Sequence, residues 1–184
     1  MEKVIISGFG GQGVLFTGKL LAFTGMVTGK HVSWIPSYGP EMRGGTANCS
    51  VIISEKEITS PIVNQCTTLL ALNSPSLEKF QDSVETNGKI LFDGSMIQQM
   101  KPEGLPVEWL AINTKPLADE LGTNSLLNMI LLGAFIKETT ILSIDDLYKG
   151  MEEMIGNKKP ERLKLNKKAL EIGFQWKERT NAYV

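Results

Sequence analysis

Two stretches of this 184-residue chain hold residue types that could do chemistry. The first is Gly8-Phe9-Gly10-Gly11-Gln12-Gly13. It follows Lys3-Val4-Ile5-Ile6-Ser7, a β-branched run that predicts a buried strand, and opens onto Val14–Phe23, which has helical length and apolar spacing. Strand, glycine turn and helix are the setting in which such a motif has meaning. Gly8, Gly10, Gly11 and Gly13 let backbone approach a ligand closely. The helix that follows would aim unpaired N–H groups and partial positive charge at the turn, which suits an anion or phosphate. A second reading is equally open, a tight turn with close packing and no ligand. The other chemical stretch is Tyr38-Gly39-Pro40-Glu41-Met42-Arg43-Gly44-Gly45. Gly39-Pro40 sets a turn. Glu41 and Arg43 place opposite charges two residues apart, and Gly44-Gly45 bares backbone beside a guanidinium suited to phosphate or carboxylate. Here too a closed Glu41–Arg43 network that only shapes the loop is an open alternative.

An ordinary NAD site needs an acid about twenty residues beyond the glycine turn to hold the ribose. From Lys3 to Pro40 the sequence has none; Lys30 is the one nearby cation that an NADP phosphate could meet. Composition narrows the classes further. With 42% hydrophobic and 21% charged residues, the chain fits one domain, residues 1–184, with a sizeable core. A net charge of −1 offers no field for nucleic acid or membrane. A strand that begins beside Met1 leaves no room for a leader, and no apolar run reaches membrane-spanning length, so a cytoplasmic protein is expected. Cys49 and Cys66 lack metal-ligand spacing and read as buried thiols. His31, the lone histidine, reads as a strand-end residue.

The elements that must position both stretches follow in order. His31–Ile35 predicts a strand stopped by Pro36, and Thr46–Ile53 another. Thr67–Leu72 predicts a buried strand, with Ser74 or Ser76 capping a short helix after it. Asn87-Gly88 predicts a turn before the strand Lys89–Asp93. Val107–Ile112 predicts the last strand. Helical periods take over from Thr114, read as a cap. The run Leu126–Lys137 is apolar nearly all round, which suits either a central core helix or a subunit interface. Ser143 opens an amphipathic helix to Ile155, and a final helix with a basic entry runs about Glu161 to Arg179. The fold class is α/β, a three-layer Rossmann-like sheet with helices on both faces and a helical C-terminal part.

The first motif joined to Ser37–Asn48 resembles the gamma subunit of the 2-oxoacid:ferredoxin oxidoreductases. The resemblance continues at Leu70-Ala71-Leu72-Asn73, at Asn128-Met129 through Leu132-Gly133-Ala134, and at Asn166, Ala169 and Gly173, so it covers essentially the whole chain. The form of the second motif is closer to the 2-oxoglutarate and branched-chain oxoacid members than to the pyruvate members. The resemblance implies one subunit of a complex that oxidatively decarboxylates a 2-oxoacid, forms acyl-coenzyme A and reduces ferredoxin. Such a complex uses thiamine diphosphate, magnesium and [4Fe-4S] clusters held in alpha, beta and ferredoxin-like subunits. For this chain it implies assembly, and a coenzyme A approach lined by Gly8, Gly10, Gly11, Gln12, Gly13, Tyr38, Gly39, Glu41, Arg43, Gly44 and Gly45. It also implies no activity alone, and self-association once the partners are missing. The competing expectations are a free-standing NADP-type oxidoreductase and an assembly protein without a ligand.

Overall fold

The computed structural model describes residues 1–37, 46–98, 106–123, 125–155 and 159–177. Strands β1 (Glu2–Phe9), β2 (His31–Ser37), β3 (Thr46–Ser54), β4 (Cys66–Ala71), β5 (Val84–Asp93) and β6 (Glu108–Ile112) form one sheet in the order β2-β3-β1-β4-β5-β6. The helices are α1 (Val14–Val27), α2 (Ser74–Phe80), α3 (Thr114–Asp119), α4 (Leu127–Thr139), α5 (Ile144–Ile155) and α6 (Pro160–Gln175). β1, β4, β5 and β6 run parallel, while β3 is antiparallel to both of its neighbours, β1 and β2. The α/β class with helices on both faces is as expected from sequence. It departs from a dinucleotide-binding sheet in one respect: β3 separates β1 from the parallel strand β2, so β2 is an edge strand.

Alternation along the strands divides the core. Val4 and Ile6 of β1, Cys49, Val51 and Ile53 of β3, Leu70 and Leu91 face α1, α3 and α4, with α5 and α6 stacked outside. Ile5, Leu69, Ala71, Ile90 and Phe92 face the other way, toward α2 and Val107. Both cysteines are free and buried. Burial pushes the Cys49 thiol up to about 11 and the Cys66 thiol to about 12, so both stay protonated and unreactive at neutral pH.

Several local expectations are corrected. Pro36 does not stop β2. It sits inside the strand opposite Cys49, where an edge position tolerates a missing N–H. Asn87 and Gly88 lie within β5; Asn87 takes a left-handed φ of 65° where the pairing with β4 shifts register. Asn73, not Ser74 or Ser76, caps α2, its side chain accepting from the Ser76 N–H at 2.9 Å. Thr114 is the first residue of α3 rather than its cap. Ser143 does cap α5: its N–H donates to Asp146 Oδ2 at 2.9 Å and its Oγ accepts from the Asp146 N–H at 3.1 Å. α6 ends at Gln175, short of the expected Arg179.

α4 is the core helix, with every residue from Asn128 to Ile136 buried within this chain. It therefore offers no apolar face for self-association, and that expectation keeps only its other ground, the second motif, which lies outside the described residues. Its cover is α6, and the two helices meet backbone to backbone. A Cβ on Gly133 would lie 2.1 Å from the Leu170 carbonyl oxygen, and one on Gly173 would lie 1.9 Å from that of Ile130. Gly173→Ala should therefore destabilise the domain, although the same change in an exposed helix stabilises it. Overpacking costs about 1–3 kcal/mol, so a fall in melting temperature of about 5 °C is expected for a domain of this size. A rise would show that the crossing has slack.

Candidate functional site

The carboxyl ends of β1, β4, β5 and β6 share one edge of the sheet. α1 leaves β1 on one face and α2 leaves β4 on the other, so the two connections diverge. Such a divergence is where open α/β sheets place ligands. The glycine turn stands here. The Gln12 N–H donates to the Phe9 carbonyl at 3.2 Å, closing the turn. Gly11 and Gly13 hold φ values of 91° and 79°, which favour glycine. Gly8 is pressed between Leu72, Val14 and the Gln12 side chain, leaving no room for a Cβ. At Gly11, by contrast, a Cβ would meet nothing within 4 Å. Gly10 is exposed.

The Gln12 carboxamide is turned inward. Its Oε1 accepts from the Phe9 N–H at 2.6 Å and from Asn73 Nδ2 at 3.0 Å, and its Nε2 donates to the Leu72 carbonyl at 3.2 Å. It staples the loops after β1 and β4 across the divergence. Gly13 caps α1 without any side-chain cap, and no acid stands in the helix's first turn. The Gly13 carbonyl accepts from Thr17 N–H at 2.9 Å, Thr17 Oγ1 at 3.0 Å and Asn128 Nδ2 at 3.4 Å. Asn128 Nδ2 also donates to Thr17 Oγ1 at 2.9 Å, so α4 clamps the start of α1.

Of the residues that the sequence singles out, the structure brings Gly8, Gly10, Gly11, Gln12 and Gly13 to this edge. Tyr38, Gly39, Glu41, Arg43, Gly44 and Gly45 lie outside the described residues. Their flanks are described: Thr46 pairs with Phe9, and Ser37 pairs with Asn48, one rung below Ala47 opposite Gly8. Both ends of the second motif are thus anchored beside the first.

Three polar residues at or near this edge escaped the sequence reading as site residues. Asn73 and Asn128 hold the glycine turn. Asp93 ends β5 fully buried; its Oδ1 accepts from the Ser95 N–H at 3.0 Å and the Thr114 N–H at 3.4 Å, while Oδ2 has no hydrogen-bond partner among the described residues. A terminal Asp on an apolar strand gave no signal that its carboxyl would fold inward.

The described residues include no group of three His, Cys, Asp or Glu that could hold a metal. Two separate buried thiols in the whole chain do not suit a four-cysteine iron–sulfur cluster. The described residues therefore do not fit the metal groups that the resemblance implies for the whole complex. No helix among the described residues is long and apolar enough to cross a membrane.

A mixed sheet of this order, with a glycine turn at the divergence of its first and fourth strands, defines an α/β domain built to present backbone at one edge. Residues 3–176 match the pyruvate ferredoxin/flavodoxin oxidoreductase family, and the chain belongs to it. It is 35% identical over 174 residues to ketoisovalerate oxidoreductase subunit VorA of Methanothermobacter marburgensis, covering 95% of this chain and 36% of that one. It is 32% identical to 2-oxoglutarate synthase subunit KorC of Archaeoglobus fulgidus, covering 94% of this chain and 86% of that one. The chain thus spans about a third of one curated relative and most of another. The solved gamma subunit of the keto/oxoacid ferredoxin oxidoreductase of Geobacter sulfurreducens has the same fold. Its TM-score is 0.80 at 28% identity, covering 95% of this chain and 96% of that one.

The clamp at Gly13 makes a testable distinction. A Cβ on Gly13 would fall 2.4 Å from Asn128 Nδ2 as well as straining φ, whereas one on Gly11 only strains φ. Gly11→Ala should cost about 1 kcal/mol and Gly13→Ala clearly more, by chemical denaturation. Asn128→Ala placed in the Gly13→Ala background should recover part of the loss. Additive losses would show that Asn128 does not confine the turn.

Proposed function

We propose that this chain is the gamma-type subunit of a complex that oxidatively decarboxylates a 2-oxoacid, transfers the acyl group to coenzyme A and passes electrons to ferredoxin. The observation that carries the reading is the joint placement of the two motifs: a glycine turn with an open Gly11 and an uncapped α1, beside both anchors of the segment that holds Arg43. Backbone N–H groups and a guanidinium at one edge suit the phosphates of coenzyme A. On this reading Gly10 and Gly11 offer backbone, Arg43 offers charge, and Gln12 supports the turn instead of touching the ligand. Thiamine diphosphate, magnesium and the [4Fe-4S] clusters belong to the alpha, beta and ferredoxin-like partner subunits. The names of the relatives support a 2-oxoacid substrate of the 2-oxoglutarate or branched-chain kind, with 2-oxoglutarate first. The free-standing NADP reading is disfavoured by topology. β3 takes the place beside β1 where a dinucleotide fold sets the strand that carries its ribose-binding acid, and β2 itself bears no acid.

The test is reconstitution. Co-expressed with its partner chains, the protein should support coenzyme A-dependent reduction of ferredoxin by 2-oxoglutarate or a branched-chain 2-oxoacid. Alone it should show no turnover. In the complex, Arg43→Ala should raise the KM for coenzyme A on the order of tenfold, the loss of one charge-assisted contact, with the melting temperature of the free chain unchanged. Turnover by the isolated chain would reject the subunit assignment. An unchanged KM with a lowered melting temperature would return Arg43 to a purely internal role.

A further inference from the structure

Two buried serines have no part in the site described above. Ser7 follows the apolar run Val4-Ile5-Ile6 in β1 and is, like Val4, closed to solvent. Ser76, in the first turn of α2, is equally buried. A hydroxyl in such a place costs free energy unless it is hydrogen-bonded, and an apolar side chain would fill either position without that demand. Alternation points Ser7 to the face of the sheet that carries Ile5 and α2. There Ser7 Oγ donates to Ser76 Oγ at 3.0 Å and also stands 3.4 Å from the Ala47 carbonyl oxygen. A hydroxyl accepts as well as donates, so both contacts are served when Ser76 donates to Ser7 and Ser7 to Ala47. The Ser76 N–H donates to Asn73 Oδ1 at 2.9 Å, and Asn73 Nδ2 donates to Gln12 Oε1 at 3.0 Å.

These bonds form one polar chain through the interior, Gln12–Asn73–Ser76–Ser7–Ala47. It starts at the glycine turn, passes through the start of α2 and the end of β1, and finishes at the second residue of β3. β3 begins directly after the segment that holds Arg43. The backbone ladder sets Gly8 opposite Ala47 and Phe9 opposite Thr46, which aligns the strands but does not reach the carboxamide that shapes the turn. Only the side-chain route does. With the hydroxyl pair broken, one buried hydroxyl loses its partner, the first turn of α2 is freed, and the shift reaches Gln12 through Asn73.

We propose that Ser7 and Ser76 are positioning residues for coenzyme A. Their hydroxyl pair ties the glycine turn to the β3 anchor of the second motif, so that the backbone of Gly10 and Gly11 and the guanidinium of Arg43 meet the same ligand. The proposal rests on the coenzyme A reading above. Neither hydroxyl touches the ligand; each acts through Gln12 or Ala47.

Kinetics of the reconstituted complex test it. Ser7→Ala and Ser76→Ala should each raise the KM for coenzyme A on the order of fivefold, the loss of one neutral hydrogen bond. The kcat and the KM for the 2-oxoacid should not move. Both changes break one link, so the double variant should behave like either single one. Gly150→Ala controls for lost stability alone. A Cβ there would fall 2.1 Å from Thr24 Oγ1, near the far end of α1, and the KM should stay unchanged. If Arg43→Ala raises the KM while both serine variants fold and leave it unaltered, the proposal is overturned and the coenzyme A reading stands. A rise that Gly150→Ala reproduces, additive effects in the double variant, or serine variants that do not fold would each assign the hydroxyls to stability and equally overturn it. An unchanged KM for Arg43→Ala would remove the coenzyme A reading, and the proposal with it.

Discussion

The structure depends on a single carboxamide at the point where the chain divides. Beyond β1 the backbone turns to one face of the sheet, and beyond β4 it turns to the other, so the adjacent strand ends carry loops that pull apart. Gln12 spans them, accepting from Phe9 and Asn73 and donating to Leu72. Asn73 in turn caps α2. Each bond is worth only about 1 kcal/mol net, but leaving a partly buried amide or carbonyl unpaired costs more. The three bonds therefore act together, fixing the angle at which α1 and α2 leave. The glycine turn takes its shape from this staple on one side and from the Asn128 clamp on the other.

That arrangement explains how much of the fold was legible in the sequence. Strand–turn–helix at the N-terminus was readable because Val4-Ile5-Ile6, the glycines and the apolar spacing of α1 all point to the same local structure. The internal burial of α4 was left undecided, since a helix apolar all round must be covered but does not say by what. The cover is α6, admitted by Gly133 and Gly173, and neither glycine announces its partner. Pro36 and Asn87-Gly88 were misread for a related reason. Both are breakers in isolation, but an edge position and a register shift in β5 accommodate them, and those are properties of pairing, not of local sequence. The antiparallel insertion of β3 is likewise set by long-range pairing.

The candidate site was legible in part. Residue type and spacing brought out the glycines from Gly8 to Gly13, and the resemblance added Gln12 as lining a coenzyme A approach. The structure turns Gln12 inward. What spacing cannot show is that the acceptor at Leu72 and the donor at Asn73 lie one strand away and claim the amide first. Asn128 was visible only as part of a resemblance, and its physical role, holding the Gly13 carbonyl across more than a hundred residues of sequence, belongs to tertiary structure.

Unequal covering of the sheet sets the glycine turn at a boundary. Five helices on one face secure the larger core there, as the complete burial of α4 shows. On the other face Ile5, Leu69, Ala71, Ile90 and Phe92 form a smaller core with α2 and Val107. Beyond that core β2 and β3 carry Ser33, Ile35, Ser37, Asn48 and Ser50, and Lys3 of β1, opposite Ile52, pairs with Glu85 at 3.6 Å. The same three strands end at the glycine turn and at both anchors of the second motif. The edge that presents backbone is thus built on the half of the sheet that the smaller core covers least.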